Sequence, residues 1–267
     1  MEVTSYSSEA LLAELYDSTG WKLPVVVHDD VQNAILSILI YRDNNVTCLK
    51  WSPDNAGKFN SFFLTMNNSL LLCNADPTDG FTSLPLSEAN FVVQKPYNMP
   101  LNDRYSYING IHKMWVYSTD KPYKAGSPTD PRTEIRIKGY DYSSGVRQFE
   151  GYVFVPNGTT GASIMQIHRS NGEKPATDLM LMVFNGELRF YSKKPIESDI
   201  YDRWVRVNVI HDVEANMLTI FINGAQKLEE NGRGVSDFYF KCGVYEQHDE
   251  SHYMESRWRD IKIYKKN

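Results

Sequence analysis

Cysteine is scarce: only Cys48, Cys73 and Cys242 occur in 267 residues. The count is odd and no CxxC spacing occurs, so neither a zinc site nor a disulfide framework is indicated. Long apolar runs are also missing. None approaches the ~18 residues of a membrane span, and the longest, Ala34 to Tyr41, reads as a core strand or short helix. There is no P-loop and no G-x-G-x-x-G, so the usual phosphate cradles are absent. Without a G-x-S-x-G elbow, His211-Asp212 has no serine to activate. Positive charge is in deficit, with 28 Lys and Arg against 33 Asp and Glu and a net charge of −5. That balance, with no basic-aromatic pattern, argues against nucleic acid. It also denies the molecule long-range attraction for a polyanion, so an anionic ligand must be held by a local cluster of cations.

What remains is the composition of a soluble globular protein, 42% hydrophobic and 23% charged, with room for one large β domain or one domain plus an extension. Residues 1 to 75 read as the extension. Ser8 to Tyr16 has a capping residue, apolar positions at helical spacing and Gly20 as a stop, which predicts one short amphipathic helix. Val25 to Val27, Ala34 to Tyr41 and Val46 to Trp51 are short apolar stretches that do not form a recognisable domain pattern. Leu70 to Ala75, with small residues at Cys73 and Ala75, looks like the end of a degraded secretory leader. The competing reading is a genuine N-terminal subdomain.

From Asp76 onward, extended runs recur at short spacing. They are Phe91 to Gln94, Ile111 to Tyr117, Thr133 to Lys138, Gln148 to Val155, Ser163 to His168 and Leu179 to Phe184. Glu187 to Tyr191, Trp204 to His211, Leu218 to Ile222, Phe238 to Tyr245 and Arg257 to Tyr264 follow. Eleven candidate strands with almost no helical periodicity predict an all-β sandwich or barrel. Asn185-Gly186 and Asn223-Gly224, each between alternating runs, predict tight hairpins.

Three of these segments carry a polar face. In Tyr239 to Gln247, strand alternation puts Tyr239, Lys241, Tyr245 and Gln247 on one side. Phe240, Cys242 and Val244 take the other, with Cys242 acting as a small core hydrophobe. Arg132, Glu134, Arg136 and Lys138 alternate with Thr133, Ile135 and Ile137, and Gln166 and His168 flank Ile167. Three such strands predict one charged groove on one sheet. In this order, R-T-E-I-R, Q-I-H and Y-F-K-C-G-V-Y-E-Q resemble the signature blocks of the alginate lyases of polysaccharide lyase family 7. The resemblance implies a two-sheet β-jelly roll with a concave substrate cleft.

A second resemblance covers nearly all of 76 to 264. Asp76 to Leu86, Tyr105 to Pro122, Tyr140 to Val146 and Ile200 to Trp204 are similar to the plant proteins named citrate-binding proteins, which share that fold. It implies a secreted, cell-wall or vacuolar location. In that setting Asn157-Gly158-Thr159 would be a glycosylation acceptor on a loop.

A uronate polymer can be cut by β-elimination, in which the C5 proton is removed and the C4 glycosidic oxygen leaves. The carbon acid is weak while its carboxylate is charged, so the carboxylate must be neutralised first. Arg132 offers a planar two-pronged donor set and Gln166 an amide donor. Because these do the neutralising, no metal or other cofactor is implied. His168, with an ordinary pKa near ~6.5, can take a proton near neutrality. Tyr245 ionises near ~10 in water, and Lys241 on the same face is expected to lower that value. By resemblance the catalytic set is Arg132, Gln166, His168 and Tyr245, with the tyrosine giving its proton to the leaving oxygen and also available as the base. Glu134, Arg136, Lys138, Lys241 and Gln247 are expected to bind substrate or support the set, Glu134 by holding both Arg132 and Arg136. Q-I-H, with Ile167, is loosely associated in the family with guluronate-containing segments.

Outside those blocks a lone strand histidine is structural more often than catalytic. His248-Asp249-Glu250-Ser251-His252 follows a strand and reads as a hydrated loop rather than a metal site. The sequence therefore predicts a monomeric lyase acting on an acidic polysaccharide, with no membrane or nucleic-acid partner. Two alternatives are a non-catalytic binder of carboxylates or acidic glycans and an inactive lectin-like wall protein. A pure binder needs Arg132 and Arg136 but has no use for His168 and Tyr245.

Overall fold

The computed structural model describes residues 76–266 except 171 and 173, together with the strand backbone at 25–30, 35–42, 45–51 and 60–62. The chain divides into two compact units, Met1–Ala75 and Asp76–Asn267. In the first, β1 (Val25–Asp30), β2 (Ile35–Arg42), β3 (Asn45–Trp51) and β4 (Asn60–Phe62) pair in sequence order as an antiparallel meander. The helix expected at Ser8 to Tyr16 and the leader-like Leu70 to Ala75 lie outside the described residues.

The second unit is an antiparallel two-sheet jelly roll. One sheet runs through β17 (Ala225–Asn231), β16 (Met217–Ile222), β15 (Trp204–Asp212), β10 (Val146–Phe154), β19 (Tyr253–Lys266), β8 (Ile111–Tyr117) and β7 (Tyr105–Ile108). A short strand, β5 (Phe81–Leu84), pairs with the end of β19. The other sheet runs β14 (Lys194–Glu197), β13 (Glu187–Phe190), β12 (Thr177–Phe184), β11 (Ala162–Arg169), β18 (Phe238–Glu246), β9 (Arg132–Ile137) and β6 (Phe91–Gln94).

The apolar faces of the two sheets meet in one core, in which Phe149, Phe240 and Trp258 are buried with the valines of β15. Phe149 meets Trp258 edge to face at 5.5 Å and leans on Phe240 at 5.9 Å. Such aromatic pairs add to what their buried area contributes. Cys242 is free and fully buried in this core, alongside Ile135, Ile137, Ile167 and Val244. The alternate residues of the same three strands therefore face away from the core, which is what builds the site.

All eleven expected strands are present. The ones the sequence pattern did not signal are β5, β7, β14 and β17. Three of them end a sheet and the fourth pairs only with the tail of β19. Edge strands carry polar and exposed side chains, as in Ala225-Gln226-Lys227, so their alternation is weak. Asn185-Gly186 and Asn223-Gly224 make the expected hairpins, both residues of each having positive φ. Asn109-Gly110 makes a third between β7 and β8.

Candidate active site

The site occupies the outer face of β9, β18 and β11, with β18 in the middle. Cross-strand register places Arg132 opposite Tyr245 and Arg136 opposite Lys241. On the other side of β18, Gln166 lies opposite Lys241 and His168 opposite Tyr239. Directly opposed residues share a face, so these side chains line one face of the sheet, with Arg132 and Tyr245 towards one end of β18 and His168 and Tyr239 towards the other.

Glu134 is the hub. It is wholly buried and accepts hydrogen bonds from Gln166 Nε2 on one carboxylate oxygen and from Lys241 Nζ on the other. Arg132 Nη1 stands 3.6 Å from that second oxygen. Gly243 lies opposite Glu134 across β9 and β18. Its φ is +147°, and a Cβ there would come within 2.6 Å of the Glu134 backbone. Only glycine lets the strands approach so closely.

Three expectations change at this hub. Glu134 does not hold Arg136, which pairs instead with Asp141 and lies over the Tyr239 ring at 4.1 Å. Arg132 and Arg136 each stand two residues from Glu134, and what separates them is Asp141, which lies 2.5 Å from Arg136 and takes its charge. Nor do Glu134 and Lys241 offer their charges to a substrate, because the two are buried against each other and spend those charges on their own pair. They lie behind the surface, beneath Arg132 and beside Gln166. Burial lowers the Lys241 ammonium to about 8, with Glu134 acting in the opposite direction.

The third change concerns Tyr245. Burial raises its pKa despite the lowering effect of Arg132, whose guanidinium lies over the phenol ring at 3.6 Å. Lys241, held by Glu134, does not produce the expected depression. The raised value keeps the phenol protonated at neutral pH, the form that can give a proton.

His168 is half-buried and stacks on Tyr239 at 4.9 Å, nearly parallel. Its Nδ1 lies 2.8 Å from the Arg169 carbonyl oxygen. A carbonyl only accepts, so Nδ1 carries the hydrogen and Nε2 keeps its lone pair. Burial, and next the Lys241 charge, lowers the ring to about 4, leaving it neutral and able to accept a proton at ordinary pH.

Arg132 is buried to 8% exposure, and its Nε–H has no partner among the described residues. A desolvated donor of this kind gains more than an exposed one from meeting an anion. Gln166, as buried as Lys241, gives one of its two amide hydrogens to Glu134. Gln247, half-buried past the end of β18, donates to the Glu246 carbonyl at 2.6 Å and hydrogen-bonds Tyr245. Lys138 is exposed beyond the end of β9, its backbone joined to Asn90, and stays outside the cluster. His248 packs on Phe184 and His252 on Tyr117, so the loop histidines turn to separate neighbours. Tyr239, which stacks on His168 and lies under Arg136, was legible only as a residue of the polar face.

Comparison with known proteins agrees with the two-sheet fold. A family model described as alginate lyase matches residues 84–265. A citrate-binding protein of Hevea brasiliensis is 60% identical over 194 residues, covering 72% of this chain and 81% of that protein. Among solved structures, alginate lyase A1-II', a member of polysaccharide lyase family 7, superposes with a TM-score of 0.53 at 14% identity, over 66% of this chain and 94% of its own. The alginate lyase from Corynebacterium sp. superposes at 0.51 with 12% identity, over 62% of this chain and 82% of its own. At those identities the structures speak for the fold alone.

Proposed function

The chain belongs to the alginate lyase family, and from that premise we propose that it cleaves a uronate-containing glycan by β-elimination. The reading is supported by a neutral His168, its Nδ1 engaged on the Arg169 carbonyl, and by a protonated Tyr245 under the buried Arg132, both on the sheet face that also carries Gln166.

Arg132 and Gln166 bind the uronate carboxylate, and the loss of its charge acidifies the C5 proton. His168 Nε2 takes that proton. The C5–H electron pair becomes the C4=C5 double bond, and the C4–O bond breaks. Tyr245 gives its phenolic proton to the departing oxygen. Histidine ends protonated and tyrosine ionised, and proton exchange with solvent resets both. Arg132, stacked on the Tyr245 ring, stabilises the phenolate as it forms. Neutralisation is assigned to the arginine and amide, so the scheme calls on no metal ion. The 60% likeness to a plant protein brings glucuronan-like and other glucuronate-bearing chains forward beside alginate as substrates.

Product mass tests the chemistry. Elimination leaves the fragment that carries the new, unsaturated non-reducing end one water lighter than hydrolysis does, so finding that fragment at its hydrolytic mass would refute it. A second reading rests on the Hevea relative, a citrate-binding protein. The same Arg132 and Gln166 would hold citrate or an acidic glycan without cutting it, and binding with no unsaturated product would establish that reading.

A further inference from the structure

A cation outside the signature blocks stands at the same groove. Residues 232–235 form a loop between β17 and β18, fastened to the strands that carry the site. The buried Arg169, next to His168, pairs with the buried Asp178, next to Thr177, at 2.8 Å. Arg169 also donates to the carbonyls of Arg233, Gly234 and Val235. Asp178 in turn accepts the Arg233 backbone N–H at 3.0 Å. The loop is thus held from beneath by one internal ion pair.

Its side chain is held from above. Arg233 lies over the Tyr191 ring at 4.5 Å and donates from Nη1 to the Thr177 carbonyl at 3.1 Å. Tyr191 packs on the same outer-face cluster as Tyr245, and Thr177 lies opposite His168. The other arginines of this face are matched by carboxylates: Arg132 by Glu134, Arg136 by Asp141 and Arg189 by Glu187. Arg233 is exposed and makes no ion pair among the described residues. A guanidinium stacked, braced and left without a counter-ion has its remaining N–H groups free for a planar anion.

We infer that Arg233 binds the carboxylate of a second uronate unit, next to the one held by Arg132 and Gln166. Strand geometry supports two units rather than one. Thr177 lies one strand across (~4.8 Å) and about two residues along (~6.6 Å) from Gln166, a separation of roughly 8 Å that a single carboxylate does not bridge. The inference rests on the acidic-glycan reading of the groove, but not on elimination.

Calorimetry separates the two. Uronate oligomers of increasing length are titrated into full-length Tyr245→Phe, which spares the ligand, and into Tyr245→Phe/Arg233→Ala. The expected result is unchanged affinity for a monouronate and an about tenfold loss for oligomers that span both positions, the scale of one charge-assisted hydrogen bond. Arg233→Lys should recover part of that loss. An equal loss at every length, no loss at any length, or no oligomer binding by the parent would each overturn the inference. Absence of unsaturated product from wild type would count against the lyase reading alone.

Discussion

His168 Nδ1 sits 2.8 Å from the carbonyl oxygen of its own neighbour, Arg169. The contact fixes the tautomer, points a bare Nε2 away from the backbone, and joins the base to the residue that anchors the 232–235 loop. Burial lowers the ring from 6.5 to about 4. The acid limb of kcat/KM is therefore expected near pH 4, not near 6.5, in initial rates across pH. The unfolded chain binds this proton more readily than the folded one, so the stability that depends on a neutral His168 is complete above 6.5. It is lost as pH falls towards 4.

Tyr245→Phe keeps the ring under Arg132 and removes only the transferable proton. It should cost ~10²–10⁴-fold in kcat, the usual scale for a general acid, while oligomer affinity measured by calorimetry stays within about twofold. A parallel loss of affinity would make Tyr245 a binding group.

Glu134→Gln leaves Lys241 buried, 1% exposed, without its counter-ion. Breaking a buried pair from one side destabilises by ~3–5 kcal/mol, which denaturant unfolding should detect. Glu134→Gln/Lys241→Met should recover most of that stability but not the activity, because Arg132 and Gln166 lose their shared anchor. Activity returning with stability would show that Glu134 serves the fold alone.

Glu246 is buried behind Tyr245, with one carboxylate oxygen lacking a partner among the described residues. Burial, then Asp130, Glu250 and Asp120, raises it from 4.5 to about 7. The folded chain holds this proton more tightly than the unfolded one, so the associated stability is complete below 4.5 and is lost as pH rises through about 7. Glu246→Gln should melt like wild type near ~pH 4 and above it near ~pH 8. Equal melting temperatures at both would show that the carboxyl is solvated.

The strands that build the site were legible because each has one apolar face. Ile135, Ile167, Phe240, Cys242 and Val244 occupy the core as alternation requires. Alternation also assigned Arg132, Gln166, His168 and Tyr245 to one side. It could not report depth: Lys241 and His168 look alike on a polar face, yet one is sealed against Glu134 and the other half-open. Nor could it place Asp141 or the Arg169–Asp178 pair, since loops and cross-strand partners meet only in the fold. Arg233 left one signal, a cation between Gly232 and Gly234 just before the Tyr239-Phe240-Lys241 strand. Edge strands such as β14 and β17 stayed hidden because their exposed sides carry little apolar pattern.

The most direct test follows the ultraviolet absorbance of the C4=C5 unsaturated uronate during incubation with alginate blocks, glucuronan and pectate. Wild type is compared with His168→Ala/Tyr245→Phe. The account predicts a rise on at least one of these polymers with wild type and at least a ~10²-fold slower rise with the double variant. A flat wild-type trace on every polymer would contradict it. If citrate or uronate-oligomer binding then survived in the double variant but not in Arg132→Ala, the groove would be a binding site.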